Sequence, residues 1–340
     1  MSRLVFREAR PEDDTQLTQL IATPMPGDLS LSFQRRPSYL QACSLCGPRR
    51  RVLVALEGDQ VVALTSFFSH EYWWDGQFRS VWMLSDFRAL PQRAGFGITG
   101  QGWKALRTLL DDKPALLSVV EDNPRALSLF SKPRPGWPRL HPVAQLRTNL
   151  TPIFGWQTSL GHRYRVHRLD PDTFLQACSQ TDVPLYPKIE RADLEPFGSD
   201  LWGVFEGEKL LGFAGLLDQS RHRQVVIHAY HGWYQKLYRL GCLLGFPLLP
   251  PQGSQVKHGT VGLLHCPDPA AWSALKSTLQ TRARNTGARF LVWCRAGRNP
   301  WNLSFAYRSR LFQILWEGEN PLPTLAKSSA DPLSFEVSWL

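Results

Sequence analysis

Apolar and polar positions alternate along several short runs of this chain, and the runs recur in matching sets. Val52-Leu-Val-Ala-Leu56 and Val61-Val-Ala-Leu64 flank a polar Glu57-Gly-Asp tip, and Leu201-Trp-Gly-Val-Phe205 and Leu210-Leu-Gly-Phe213 flank Glu206-Gly-Glu. Each set predicts two strands joined by a tight turn, a β-hairpin. The segments upstream match as well. Phe6-Arg-Glu-Ala-Arg-Pro-Glu-Asp13 and Tyr164-Arg-Val-His-Arg-Leu-Asp-Pro-Asp172 both run from a strand into a capped helix. A tandem of two similar domains follows from the repetition.

One stretch carries more chemistry than the rest. Val81 to Trp103 reads as an apolar strand, a basic glycine-rich turn through Gln92-Arg-Ala-Gly-Phe-Gly97, and a helix continuing to Leu110. Such a turn leaves backbone N–H groups free at the positive end of a helix, which suits an anion such as phosphate. Glycine lets a ligand approach the backbone closely, and Gln92 and Arg93 add donors at the edge. A second strand, Leu116-Leu-Ser-Val-Val120, follows and leads through Asn123-Pro-Arg-Ala126 into another helix.

Together these two segments resemble the GNAT family of acetyl-CoA-dependent N-acetyltransferases, which pairs Gln/Arg-x-x-Gly-x-Gly/Ala at a helix start with a later Asn-x-x-Ala. The resemblance covers roughly residues 1–150 well and the remainder more faintly. It implies an α/β fold, α+β by stricter usage, of two GNAT-like domains, each a mixed, mostly antiparallel sheet flanked by helices. The expected division is a GNAT domain with an acyl-CoA turn over 1–155 and a GNAT-like domain without one over 160–340. It further implies an N-acyltransferase that moves an acetyl or short acyl group from CoA to a primary amine. A catalytically silent CoA-binding sensor or an interaction protein is the other reading.

By the same resemblance, backbone groups of Phe87, Arg88 and Ala89 would hold the pantetheine and the thioester carbonyl. The turn Gln92, Arg93, Ala94, Gly95, Phe96, Gly97 and Ile98 would take the pyrophosphate, and Asn123 would touch the pantetheine arm. The catalytic positions depart from the family pattern. Ser85 stands where many relatives place a carboxylate base, and Phe130 where many place a tyrosine acid. Asp86 and Glu121 are the nearest carboxylates and the candidate catalytic residues; each also fits a solvated or helix-capping role. His70, Glu71 and Tyr72 could line the acceptor side or decorate an exposed hairpin. An amine that ionises near neutrality needs only positioning.

In the second half the glycine turn is missing. Gly259-Thr-Val-Gly-Leu-Leu-His-Cys266 fits the equivalent strand, but Pro267-Asp-Pro269 follows at once, with Asp268 and Pro269 suited to start a helix. Ala288 to Cys294 reads as the next strand. Arg298 to Arg310 resembles the family's following helix, with Asn299 or Asn302 and Tyr307 as loose echoes. The boundary between the units is expected in the proline-rich Ser131–Pro142 zone, after which a strand from Val143 to Phe154 closes the first unit and the second begins near His162.

Composition narrows the picture only slightly. With 340 residues, 43% apolar and 20% charged, the chain suits two ordinary globular units. The net charge is +10, and thirty of its 39 basic residues are arginine, which favours phosphates, carboxylates or nucleic acid as ligands. Trp233, Tyr234, Lys236, Tyr238 and Arg239, with Arg49–Arg51 and Arg221–Arg223, could contact nucleic acid, but no nucleic-acid fold signature accompanies them, and that partner is not expected. Cys43-Ser-Leu-Cys46 lacks the second pair a structural zinc needs, so no metal is expected. No apolar run is long enough to span a membrane, and the N-terminus is charged too early for a signal peptide. The chain reads as cytoplasmic.

Overall fold

The computed structural model describes residues 4–25, 27–44, 49–74, 76–93, 95–111, 113–121, 123–131, 134–153, 163–181, 183, 185–245, 249–296 and 305–316. The first half runs β1 (Leu4–Glu8), α1 (Asp14–Ile21), β2 (Leu29–Arg35), α2 (Tyr39–Ser44), β3 (Arg50–Glu57), β4 (Gln60–Trp74), β5 (Gln77–Ala89), α3 (Phe96–Leu109), β6 (Ala115–Val120), α4 (Pro124–Ser131) and β7 (Arg139–Pro152). The second runs β8 (Arg165–Arg168), α5 (Pro171–Ser179), α6 (Arg191–Leu194), β9 (Leu201–Glu206), β10 (Lys209–Leu217), β11 (Arg223–Tyr230), α7 (Gly232–Leu243), β12 (His258–His265), α8 (Pro269–Asn285), β13 (Phe290–Ala296) and β14 (Phe305–Leu315).

Both expected hairpins form. β3 pairs antiparallel with β4 and β9 with β10, and the tips turn at Gly58 and Gly207, whose φ values of 59° and 63° glycine adopts without strain. These strands belong to one twelve-stranded sheet in the order β1-β3-β4-β5-β6-β14-β7-β13-β12-β10-β9-β8. The order is a palindrome when each strand of the first half is matched to its counterpart in the second. At its centre the halves exchange their last strands: β14 lies between β6 and β7, and β7 pairs with β13. Two pairs are parallel, β5 with β6 and β12 with β13; every other pair in the sheet is antiparallel.

Residues 305–310, read as part of a helix, open β14. The side chains of residues 308–311 follow the two-residue period, Arg308 and Arg310 exposed and Ser309 and Leu311 buried, and the backbone is held between two neighbouring strands. Residues 297–304, including Arg298, Asn299 and Asn302, lie outside the described residues. The proline-rich zone is also shorter than expected, because β7 begins at Arg139 and contains Pro142. That proline pairs with Phe312 beside a register shift, where a missing N–H is tolerated.

Two further contacts join the halves. β2 pairs antiparallel with β11 as a separate ribbon. The tip of the β4–β5 hairpin docks on residues 185–188: Trp73 donates its amide to the Tyr186 carbonyl, Leu185 donates to Trp73, and Lys188 donates to Glu71. Tyr72 is buried there and Glu71 pairs with Lys188 at 2.8 Å, so these residues hold the halves together rather than decorate the surface. On α7, Tyr238 stacks on Tyr230 at 5.0 Å, whereas Trp233 is 69% exposed. Among the described residues no helix is long and apolar enough to cross a membrane, no group of His, Cys, Asp or Glu could hold a metal ion, and the cysteines are free thiols.

Candidate functional site

β5 and β6 pair over only three positions, Trp82 with Ala115, Met83 with Leu116 and Leu84 with Leu117. Along its other edge β6 pairs with β14 throughout, from Ala115 with Ile314 to Val120 with Ser309. Ser85–Ala89 therefore lie beyond the paired positions, and β5 splays from β6 into a V-shaped cleft. The opposite edge of β5 carries a bulge. Leu64 and Ser66 of β4 face Arg88 and Ser85, so β5 fits an extra residue at Asp86–Phe87, and Asp86 adopts a φ of 56°.

The bulge decides which way each side chain points. Regular alternation would send Ser85 and Asp86 to opposite faces. Instead the Ser66 hydroxyl lies 2.8 Å from Ser85 Oγ and donates to Asp86 at 3.2 Å. Phe87 turns the other way and packs on Trp103 of α3, ring centroids 5.7 Å apart. Arg88 returns to the Asp86 face, where it feels the charge of Asp86 and Arg35.

Asp86 is the centre of a buried network. Arg35 Nη2 donates to both its oxygens at 3.1 Å, the Tyr39 hydroxyl donates at 3.0 Å, and Arg50 Nη2 approaches to 3.4 Å. Burial pushes the carboxyl up, but Arg35 and Arg50 outweigh it and hold Asp86 below its ordinary value. Burial and the Asp86 charge push the Tyr39 phenol well above its ordinary value. A carboxylate held in this way stays ionised and is a weak proton acceptor.

Glu121, at the end of β6, shares that character. Gln145 Nε2 donates to it at 2.9 Å and Arg310 Nε at 3.0 Å, the latter from the exchanged strand β14. Burial raises its carboxyl, and these two hydrogen bonds more than offset the rise.

The glycine turn leads from β5 into α3. Leu90 donates to the Val62 carbonyl and Arg93 donates its amide to Leu90, which closes the turn. Gly95 is the N-cap residue of α3, and no side chain caps the helix. Among the described residues, a Cβ placed on Gly95 or Gly97 would meet nothing within 4 Å, so space lies open beside the first turn of α3. Gln92 is exposed, and the Arg93 guanidinium pairs with Glu57 beside the turn. Ile98 packs with Ala55 and Val62, leaving its backbone as the part available to a ligand. Ala94 lies outside the described residues, and Phe96 is described here by its backbone. At Gly100 a Cβ would stand 2.8 Å from Trp137 Nε1, so a small residue is needed for that ring to seat α3.

Asn123 caps α4: its Oδ1 accepts from the Ala126 amide at 3.0 Å, leaving the side-chain NH2 as the part available to a ligand. The Asn-x-x-Ala spacing is thus a helix start in its own right.

The second half repeats the splay but not the turn. β12 and β13 pair in parallel from His258 with Phe290 to Thr260 with Val292 and then separate. At the start of α8 the Asp268 carboxylate accepts from the amides of Ala270 and Ala271 at 2.7 and 2.8 Å. The first-turn amides that an anion would use are already held by a built-in carboxylate.

Several members of the network carry no local signature in the sequence. Arg35, Tyr39, Arg50 and Ser66 reach Asp86 only through sheet pairing and the packing of α2. Arg49-Arg-Arg51 reads as a basic run, yet strand alternation splits it. Arg50 turns inward, while Arg51 turns out to Glu8 and the Leu109 carbonyl.

No protein-family model and no curated protein sequence matches the chain. Solved structures do. Saccharomyces cerevisiae N-myristoyltransferase with bound myristoyl-CoA aligns over 98% of this chain and 84% of its own, with a TM-score of 0.56 at 12% identity. A GCN5-related N-acetyltransferase from Sphaerobacter thermophilus covers 94% of this chain and 98% of its own at TM-score 0.54 and 11% identity. A tandem GNAT protein from the clavulanic acid biosynthesis pathway covers 94% and 100%, also at 0.54 and 11%. The chain therefore has the fold of the GCN5-related N-acetyltransferases in tandem arrangement.

Proposed function

We propose that this chain is a GNAT-type N-acyltransferase that binds acetyl-CoA or a short acyl-CoA in its first half, residues 1–155 completed by β14, and transfers the acyl group to a primary amine. The observation that carries the reading is the continuous path from the splayed edge of β5, past the Asp86 bulge, to an uncapped helix start with open space over Gly95 and Gly97. The fold neighbours include transferases solved with myristoyl-CoA. When bound, acyl-CoA would supply the activated thioester carbon.

The residues fit that group. Backbone donors of Phe87, Arg88 and Ala89 would hold the thioester end and polarise its carbonyl. The amides of the Gln92–Ile98 turn would take the pyrophosphate, and the Asn123 NH2 would hold the pantetheine. The second half, residues 160–340, has Asp268 on its own helix start and serves as a structural and acceptor-side partner. Asp86 and Glu121 are the nearest carboxylates to the cleft. Because arginines hold both ionised, we assign them to positioning of the site, and the amine's own deprotonation supplies the nucleophile.

The same ion pairs favour the second reading, a silent CoA-binding sensor or interaction protein. Calorimetry with acetyl-CoA followed by thiol release across an amine panel separates the two. Binding with turnover supports the transferase, binding without turnover on any amine supports the sensor, and no binding sinks both.

A further inference from the structure

Three arginines from three elements, Arg35, Arg50 and Arg88, converge near Asp86, and a fourth, Arg223, lies beside Arg35. Arg35 of β2 and Arg223 of β11 are direct cross-strand partners, both over 90% buried, a placement in which like charges repel. Arg50 of β3 is 3% exposed and shares Asp86 with Arg35. Arg88 of β5 is partly exposed at the cleft edge and, among the described residues, makes no ion pair and donates only to the Phe87 carbonyl at 3.3 Å. Among the described residues Arg88 Nε and Arg50 Nε and Nη1 find no acceptor. Buried guanidinium groups with spare donors are costly unless an anion completes them.

The CoA phosphates do not answer this need under the reading above, because they belong at the glycine turn several residues further along. Phe87 marks the α3 side of β5, whereas Arg88 lies on the face of Asp86, Tyr39 and Arg35, where the amine would arrive. Arginine's planar fork matches a carboxylate.

Resting on the transferase reading, we propose that Arg88, backed by Arg50, binds a carboxylate of the acceptor, so that the substrate is an amine carrying an acidic group such as an amino acid. Asp86 holds Arg35 and Arg50 in place and repels a carboxylate that enters too deeply. Arg88 thus sets specificity by pairing and orienting the acceptor.

The test titrates N-acetyl-L-amino acids and their carboxamides into the full chain, with and without CoA, by calorimetry. It also compares amino acids with their carboxamides as acceptors of acetyl-CoA. The carboxylate is expected to bind at least about tenfold tighter than the carboxamide. Arg88→Gln should erase that ratio in binding and in kcat/KM, and Arg88→Lys should restore part of it. Carboxylate-selective binding that depends on Arg88 supports the site even if no amine is acetylated, which would count against the transferase reading alone. Equal binding of both forms, binding of neither, or a ratio unchanged in Arg88→Gln overturns the proposal even if amines are acetylated. A preference for succinyl-CoA over acetyl-CoA with a neutral amine, lost in Arg88→Gln, overturns it by placing the anion on the acyl group.

Discussion

Asp86 and Leu263 occupy the same place in the two halves of the sheet. Each opens a bulge in the strand that splays from its parallel neighbour, and each adopts a positive φ, 56° and 52°. The distortion is shared, but the chemistry is not. Asp86 gathers arginines and a phenol, while Leu263 is 1% exposed within the core. A left-handed backbone is costly for leucine, so the surrounding packing holds the bulge in the second half without a carboxylate network.

Gly95→Glu should abolish CoA binding and leave the fold intact. The residue's φ of 170° is extended backbone that any residue adopts, and its Cβ would enter open space. A carboxylate there opposes the pyrophosphate, and the dissociation constant should rise by about a hundredfold or more, roughly 3 kcal/mol. Calorimetry and a thermal melt check it; unchanged affinity would show that the turn does not hold the phosphates.

Asp86→Asn should destabilise the chain by roughly 3 kcal/mol at pH 7, because it leaves Arg35 and Arg50 buried without their counter-charge. The pH dependence has a definite sign. Asp86 lies below its ordinary value of 3.8 in the folded chain, so its contribution is fully present above that value and is lost as pH falls through the lower folded pKa. Urea unfolding from pH 7 downward should show a steeper acid loss below about pH 4 in the parent than in Asp86→Asn.

Asp268→Ala should cost about 1 kcal/mol through loss of the α8 cap. It should not create a second CoA site, since no glycine-rich turn precedes the helix. A binding stoichiometry that rises from one CoA to two would contradict this.

Residues 1–155 expressed alone should be poorly soluble, because removing β14 leaves edges of β6 and β7 unpaired in the middle of the sheet. Co-expression with residues 160–340 should recover a soluble complex on size-exclusion chromatography.

Much of the fold is legible in local pattern. The two hairpins are legible from period-two alternation around glycine turns, and α3 and α4 from the glycine turn and from the Asn123 cap. α8 is legible from Asp268 and Pro269. β14 is not: the family resemblance points to a helix over 298–310, and the strand is fixed by pairing with β6 and β7 far away in the chain. β2 and β11 also carry alternating residues, but their pairing joins segments far apart in the chain, which no local window reveals.

The sequence by itself determined the repeated strand and helix order, the open glycine turn in one half and its absence in the other. These depend on local backbone freedom, side-chain period and capping, which act within a few residues. The tertiary structure alone decided the exchange of β7 and β14, the direction in which the bulge aims Asp86 and Arg88, and the assembly of Arg35 and Arg50 on Asp86. Those outcomes depend on strand register and on burial across distant segments, where a one-residue shift turns a side chain from one face to the other.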